Sequence, residues 1–140
     1  TRTTVKNKSI ILIDDSIVRG TTCHKIVKML YESGAKEVHV RIACPEIKYP
    51  DFYGVDMPTK KELLANEKNN QEMCDYIKAK SLEFLSLDGL YKALVGEKRN
   101  ANYPQFSDHY FTGDYPIKPQ DNLQGLKVKQ LSLLSGKSNS

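Results

Sequence analysis

The sequence predicts an α/β fold, a parallel sheet flanked by helices. Three observations predict it. Ile10-Ile11-Leu12-Ile13 is a short aliphatic run with no polar alternation, the pattern of a strand buried on both faces in a parallel sheet. A helical stripe of Ile26, Val27, Leu30 and Tyr31 follows it. A second strand pattern then returns, and strand–helix–strand order implies a parallel pair joined by a right-handed crossover.

The elements can be justified in order. Residues 1–8 form a polar lead-in. Ser9 to Ile13 is the first strand. Thr21 to Glu32 is a helix, with Thr21 or Thr22 a fair N-cap and Gly34 a good C′ residue. Lys36 to Cys44 alternates apolar and polar residues and stops at Pro45, which reads as a strand nearer a sheet edge. Pro45 to Pro58 is a loop, in which Lys48, Tyr49, Phe52 and Tyr53 either line a binding face or anchor the chain. Thr59-Lys60-Lys61-Glu62 has the capping-box pattern of a helix reaching about Ala65. Asn70 to Lys80 is a further helix, with Met73, Tyr76 and Ile77 on a core-facing stripe. Leu82 to Leu87 is a short strand, and Asp88 caps a helix through Leu94. Gly96 to Gln105 is a polar loop. Residues 120–140 are rich in Ser, Lys and Gln, and are expected to be a loosely ordered tail with at most one short helix.

The chemistry concentrates where the first strand ends. Asp14 and Asp15 lie at its carboxyl end, where open parallel sheets bind ligands. Side chains alternate along a strand, so one acid can reach over the crevice while the other turns toward a neighbouring element. Ser16-Ile17-Val18-Arg19-Gly20-Thr21-Thr22 then leads into the helix. Gly20 allows a tight turn, and free amides, threonine hydroxyls and the helix dipole together make an anion pocket. Acids beside such a pocket suit a ligand with a phosphate at one end and hydroxyls or Mg²⁺ at the other, as in a sugar phosphate. An Asx-turn ending the strand is the plainer alternative for Asp14-Asp15-Ser16. The run is neither a Walker A loop nor a dinucleotide fingerprint, because it lacks the further glycines and the lysine those need.

Composition narrows the classes. The chain has 140 residues, 39% hydrophobic and 27% charged, which fits a globular domain rather than a disordered one. No apolar run approaches the roughly 18 residues of a membrane span, so no membrane partner is expected. The net charge of +4 is spread along the chain and suits a polyphosphate ligand. No basic–aromatic module is present, so nucleic acid is not an expected partner. Cys23, Cys44 and Cys74 are far apart, which points to a reduced, cytoplasmic compartment. Cys23 falls in the first helical turn, where a thiol's pKa can drop, though filling space is its simpler role. His24, His39 and His109 lack metal-ligand spacing and read as structural or surface residues.

Ile11 to Thr22 resembles the phosphoribosylpyrophosphate-binding motif of type I phosphoribosyltransferases, and the Ser-Ile-Val-Arg-Gly-Thr-Thr form is that of the amidophosphoribosyltransferases. Ala43 to Ile47 with Tyr53 to Pro58, and Phe111-Thr112-Gly113-Asp114-Tyr115-Pro116, are similar to two further blocks of that family in the same order. The resemblance implies a partial type I phosphoribosyltransferase fold, with residues 9–119 the C-terminal part of that domain and the whole the C-terminal quarter to third of a longer protein. It implies that Asp14 and Asp15 hold ribose hydroxyls and Mg²⁺, and that Ser16, Arg19, Gly20, Thr21 and Thr22 cradle the 5′-phosphate.

The implied reaction is the first step of de novo purine biosynthesis. It displaces pyrophosphate from phosphoribosylpyrophosphate with glutamine-derived ammonia, giving phosphoribosylamine. The partners it implies are a glutaminase domain and further copies in a homo-oligomer. No catalytic residue is assigned within the chain, and the chain alone is expected to be inactive. Some members hold an iron–sulfur cluster through cysteines at positions that here read Asp51 and Ser107-Asp108-His109-Tyr110, so no cluster is expected. A phosphoribosylpyrophosphate-binding regulatory protein and a base phosphoribosyltransferase are the alternatives. The first would need a DNA-binding element, and none is evident. The second would not explain Ser16-Ile17-Val18-Arg19.

Overall fold

The structure is a computed structural model and describes residues 2–51 and 59–116. The expectations for Phe52, for the Tyr53–Pro58 block and for the tail at 120–140 lie outside the described residues.

A short helix α1 (Arg2–Val5) lies within the lead-in and precedes strand β1 (Ser9–Asp14). Helix α2 (Thr21–Glu32) and strand β2 (Glu37–Ile42) follow. A 3-10 turn at Lys60–Glu62 leads to α3 (Leu64–Glu67), α4 (Asn70–Ile77) and strand β3 (Ser81–Phe84). Helices α5 (Leu87–Val95) and α6 (His109–Thr112) close the described chain. The described strands form one parallel sheet in the order β1-β2-β3, with Asp14 paired to Ile42 and Ile42 to Phe84. That register brings the carboxyl ends of all three strands to one edge.

The core lies on one face of the sheet. Val38, Val40 and Ile42 of β2 and Leu82 of β3 meet Cys23 and Val27 of α2 and Met73, Cys74 and Ile77 of α4. Ile17 reaches the same core from the loop after β1, which ties that loop to the sheet.

The two outer expectations about the strands are corrected. β2 is central, not near an edge, and its alternation of buried and half-buried residues comes from cover on one face. β1 is not buried on both faces. Ile11 and Ile13 are 67% and 73% exposed, because α2 and α4 pack on the opposite side of the sheet.

Local capping explains other differences. The helix expected from Thr59 is interrupted at Leu63, whose extended backbone separates the 3-10 turn from α3. The capping box at Thr59 and Glu62 is present, as is a second one at Asn69 and Glu72. Ser86, not Asp88, caps α5, because its hydroxyl accepts the Gly89 amide at 3.0 Å. The 96–105 loop is less simply polar than its composition suggests. Arg99 is nearly buried, and its guanidinium binds Asp108 and Asp114. The Tyr91 hydroxyl donates to the same Asp108 carboxylate at 2.7 Å, and Thr112 donates to it at 3.1 Å.

Two predictions follow from this packing. Met73→Ala should cost about 2–5 kcal/mol in urea denaturation because the side chain is fully buried, while Ile11→Ala should stay within about 0.5 kcal/mol. Equal losses would contradict the one-sided core. Burial raises the Asp108 pKa, but the hydrogen bonds from Arg99, Tyr91 and Thr112 outweigh it and hold it below the usual carboxylate range. A pKa lowered on folding gives stability that is complete above the unfolded value and lost as pH falls through the folded one. The stability gap between wild type and Asp108→Asn should therefore narrow below about pH 4. A gap that stays constant down to about pH 2 would refute the assignment.

Candidate functional site

The sequence-predicted residues come together because they are one continuous segment turned back on itself. Residues 14–23 line a single cleft of about 290 Å³ beyond the end of β1. Three contacts set its shape. Ile17 anchors the loop in the core, the Leu64 amide of α3 donates to the Val18 carbonyl at 2.9 Å, and Gly20 turns the chain into α2.

Gly20 is the N-cap, with φ of 75°, in the left-handed region that favours glycine. A Cβ there would sit 2.6 Å from Leu64 Cδ2 and 3.1 Å from the Tyr76 ring. The expectation that a threonine caps α2 is corrected, since Thr21 is already the first helical residue. No side chain caps the helix, so its first amides point toward the cleft without a side-chain acceptor. Thr21 and Thr22 are exposed there.

The two acids divide as strand alternation requires. Asp14 is half-buried on the α2 side, and Asp15 is exposed. Each uses one carboxylate oxygen locally. Asp14 Oδ1 accepts the Asp15 amide at 2.9 Å, and Asp15 Oδ1 accepts the Ser16 amide at 2.7 Å. Both bonds run to the next residue's amide, so the Asx-turn, which reaches two residues on, does not form among the described residues, and each acid's second oxygen has no hydrogen-bond partner among them. Arg19 also lines the cleft, and its Nη2 pairs with Glu62 at 3.3 Å in an exposed contact. Glu62 escaped the sequence reading in this role because its capping box already accounted for it.

Two thiols border the acids. Burial, with Asp14 nearby, pushes Cys23 up to about 11, and burial, with Asp15 nearby, does the same to Cys44. The helix start does not lower the Cys23 pKa, and the buried thiol fits its simpler role of filling space. Desolvation and a carboxylate both disfavour the thiolate. Cys44 lies beside the site because β2 runs next to β1, and the Ala43 amide donates to the Asp14 carbonyl at 2.9 Å.

The positions that the resemblance marks for cluster ligands also meet. His109 Nε2 lies 2.7 Å from Asp51 Oδ1, and Ser107 Oγ lies 3.2 Å from His109 Nδ1. Asp51, Ser107 and Tyr110 offer no thiolate, whereas iron–sulfur clusters are held by thiolates, so this donor set does not fit one. Among the described residues no group of three or more His, Cys, Asp or Glu side chains is arranged to hold a metal, and no helix is long and apolar enough to cross a membrane.

No protein-family model matches the chain. Among curated proteins, it is 53% identical over 135 residues to the amidophosphoribosyltransferase of Rhizobium etli, covering 96% of this chain. The chain is homologous to part of the amidophosphoribosyltransferases. It is also 54% identical over 112 residues to the Staphylococcus aureus amidophosphoribosyltransferase. It spans about a quarter of these relatives, 27% of the first and 22% of the second.

Its structure matches the B. subtilis glutamine phosphoribosylpyrophosphate amidotransferase, solved with ADP and GMP, with a TM-score of 0.77 at 43% identity. That match covers 86% of this chain and 27% of the other. A second structure, described as the allosteric regulatory enzyme of purine biosynthesis, matches with a TM-score of 0.76 at 44% identity. The sheet and its flanking helices are accordingly part of a type I phosphoribosyltransferase fold.

Gly20→Ala should destabilise the chain by about 1–3 kcal/mol, through the positive φ and the Leu64 contact together. Denaturant titration measures this. A change below about 0.5 kcal/mol would show that the turn does not need glycine.

Proposed function

We propose that this chain is the C-terminal part of the phosphoribosyltransferase domain of an amidophosphoribosyltransferase, with residues 9–119 in that domain. The parent enzyme displaces pyrophosphate from phosphoribosylpyrophosphate with ammonia drawn from glutamine by a glutaminase domain, and yields phosphoribosylamine. One observation carries the reading. A single segment, residues 14–23, lines a cleft with carboxylates at one end and uncapped helix amides at the other, in a chain homologous to that family.

The roles follow from the geometry. The amides at the start of α2, with the Ser16, Thr21 and Thr22 hydroxyls, bind the 5′-phosphate, where the helix dipole favours an anion. Gly20 lets the backbone approach it. Arg19 adds positive charge at the rim, exchanging its exposed pairing with Glu62 for the ligand. Asp14 and Asp15 accept the ribose hydroxyls with the oxygens that their local amide bonds leave free.

Those same oxygens suit Mg²⁺, which takes one or two carboxylates together with ligand oxygens. When bound, the ion neutralises charge on the departing pyrophosphate. The chain's own part is positioning. It holds the ribose by both ends so that C1 faces the incoming ammonia. The enzyme works in the cytoplasm as a homo-oligomer, and these 140 residues alone do not draw ammonia from glutamine.

Calorimetric titration of phosphoribosylpyrophosphate with Mg²⁺ into the full-length enzyme tests the site. Asp14→Asn and Asp15→Asn should each weaken binding by roughly 1.5–3 kcal/mol, the worth of a charged hydrogen bond. Unchanged affinity in both variants would remove the assignment. Binding without turnover in the wild type would favour a regulatory protein instead.

A further inference from the structure

Residues 43–51 form a loop held at both ends. Its start runs beside the cleft, where the Ala43 amide bonds the Asp14 carbonyl and Cys44 lies near Asp15. Its far end is held from the C-terminal block. The Lys48 and Tyr49 amides both donate to the Tyr110 carbonyl, at 2.9 and 3.1 Å, and the Tyr115 hydroxyl donates to the Pro50 carbonyl at 3.0 Å. The Tyr49 ring packs over Gly113, where a Cβ would come within 3.0 Å of it.

Beneath these contacts Asp51 and His109 bond at 2.7 Å with side chains 1% and 3% exposed, and the His109 ring makes tilted contacts with the Tyr110 and Tyr115 rings, at centroid distances of 4.1 and 5.2 Å. A buried carboxylate is stable only with such partners, so the pair fixes its surroundings in one arrangement. None of these residues touches the cleft.

We propose that Asp51 and His109, with the Ser107 hydroxyl at their exposed rim, are positioning residues, a polar clasp that holds the 43–51 loop and thereby steadies the chain bonded to Asp14 at the edge of the cleft. The clasp acts through the loop. Ser107 orients the imidazole through Nδ1, the imidazole bonds Asp51 through Nε2, and Asp51 ends the segment that begins at Asp14's neighbour. Its effect on ligand affinity rests on the function proposed above, whereas its hold on the loop does not.

The Cys44 thiol reports on that hold. A loop released into water would expose that half-buried thiol and speed its reaction. The full-length enzyme carrying Asp51→Asn or His109→Gln should therefore alkylate at Cys44 with iodoacetamide about tenfold faster than wild type. Cys23 and Cys74, buried in the core, should stay slow, and phosphoribosylpyrophosphate should bind more weakly.

Unchanged labelling of Cys44 would overturn the proposal, as would equal acceleration of all three thiols, which would mean general unfolding. Faster Cys44 labelling with unchanged ligand affinity would overturn the link to the cleft. Ser107→Ala, which removes no buried charge, gives a milder variant that should move Cys44 in the same direction. If the wild type itself binds no phosphoribosylpyrophosphate, the functional reading fails, and the labelling comparison still decides whether the clasp holds the loop.

Discussion

The site depends on residue 20 having no side chain. The chain leaves β1 at Asp14 and must enter α2 within a few residues, with the amide end of the helix turned back toward the acids. That reversal is achieved by a left-handed backbone at Gly20, tucked against Leu64 and Tyr76. A Cβ would both strain the backbone and push α3 and α4 away. The same packing explains why α3 bonds back to the loop at Val18 and why Tyr76 stays partly exposed instead of joining Met73 and Ile77 in the core. The cleft, the helix packing and the position of the acids therefore share one geometric requirement.

Much of the site was legible because it is local. Acids at a strand end, a glycine and a helix start within ten residues specify a cleft by backbone geometry alone, and the structure gathers residues 14–23 around it. Strand β1, helix α2 and the parallel pairing of β1 with β2 were legible for a related reason. Aliphatic runs and helical stripes announce burial. The alternation in β2 was misread because one-sided cover and an edge position leave the same pattern, and only the neighbouring strand distinguishes them. In β1 the aliphatic run signals a capacity for burial, and the described helices use it on one face.

What was not legible is nonlocal. Arg99 lies in a stretch whose composition reads as solvated loop, and nothing nearby in sequence reveals that Asp108 and Asp114 neutralise it, or that Tyr91 donates to the same Asp108. Asp51 and His109 are 58 positions apart, and His109 reads as an ordinary structural histidine until its partner is seen. Glu62 was visible as a capping residue, yet its second contact, with Arg19, spans 43 positions. Sequence patterns report what a residue does for its own element. The ties between elements come from tertiary packing.

The sulfur atoms beside the acids carry a chemical consequence. A thiolate beside a cleft is a soft nucleophile that would react with an electrophilic ligand held there. Cys23 and Cys44 stand next to the carboxylates, but burial and those same carboxylates raise both thiols to about 11, so both stay protonated at neutral pH. The carboxylates at the end of β1 thus also quiet the sulfurs beside them.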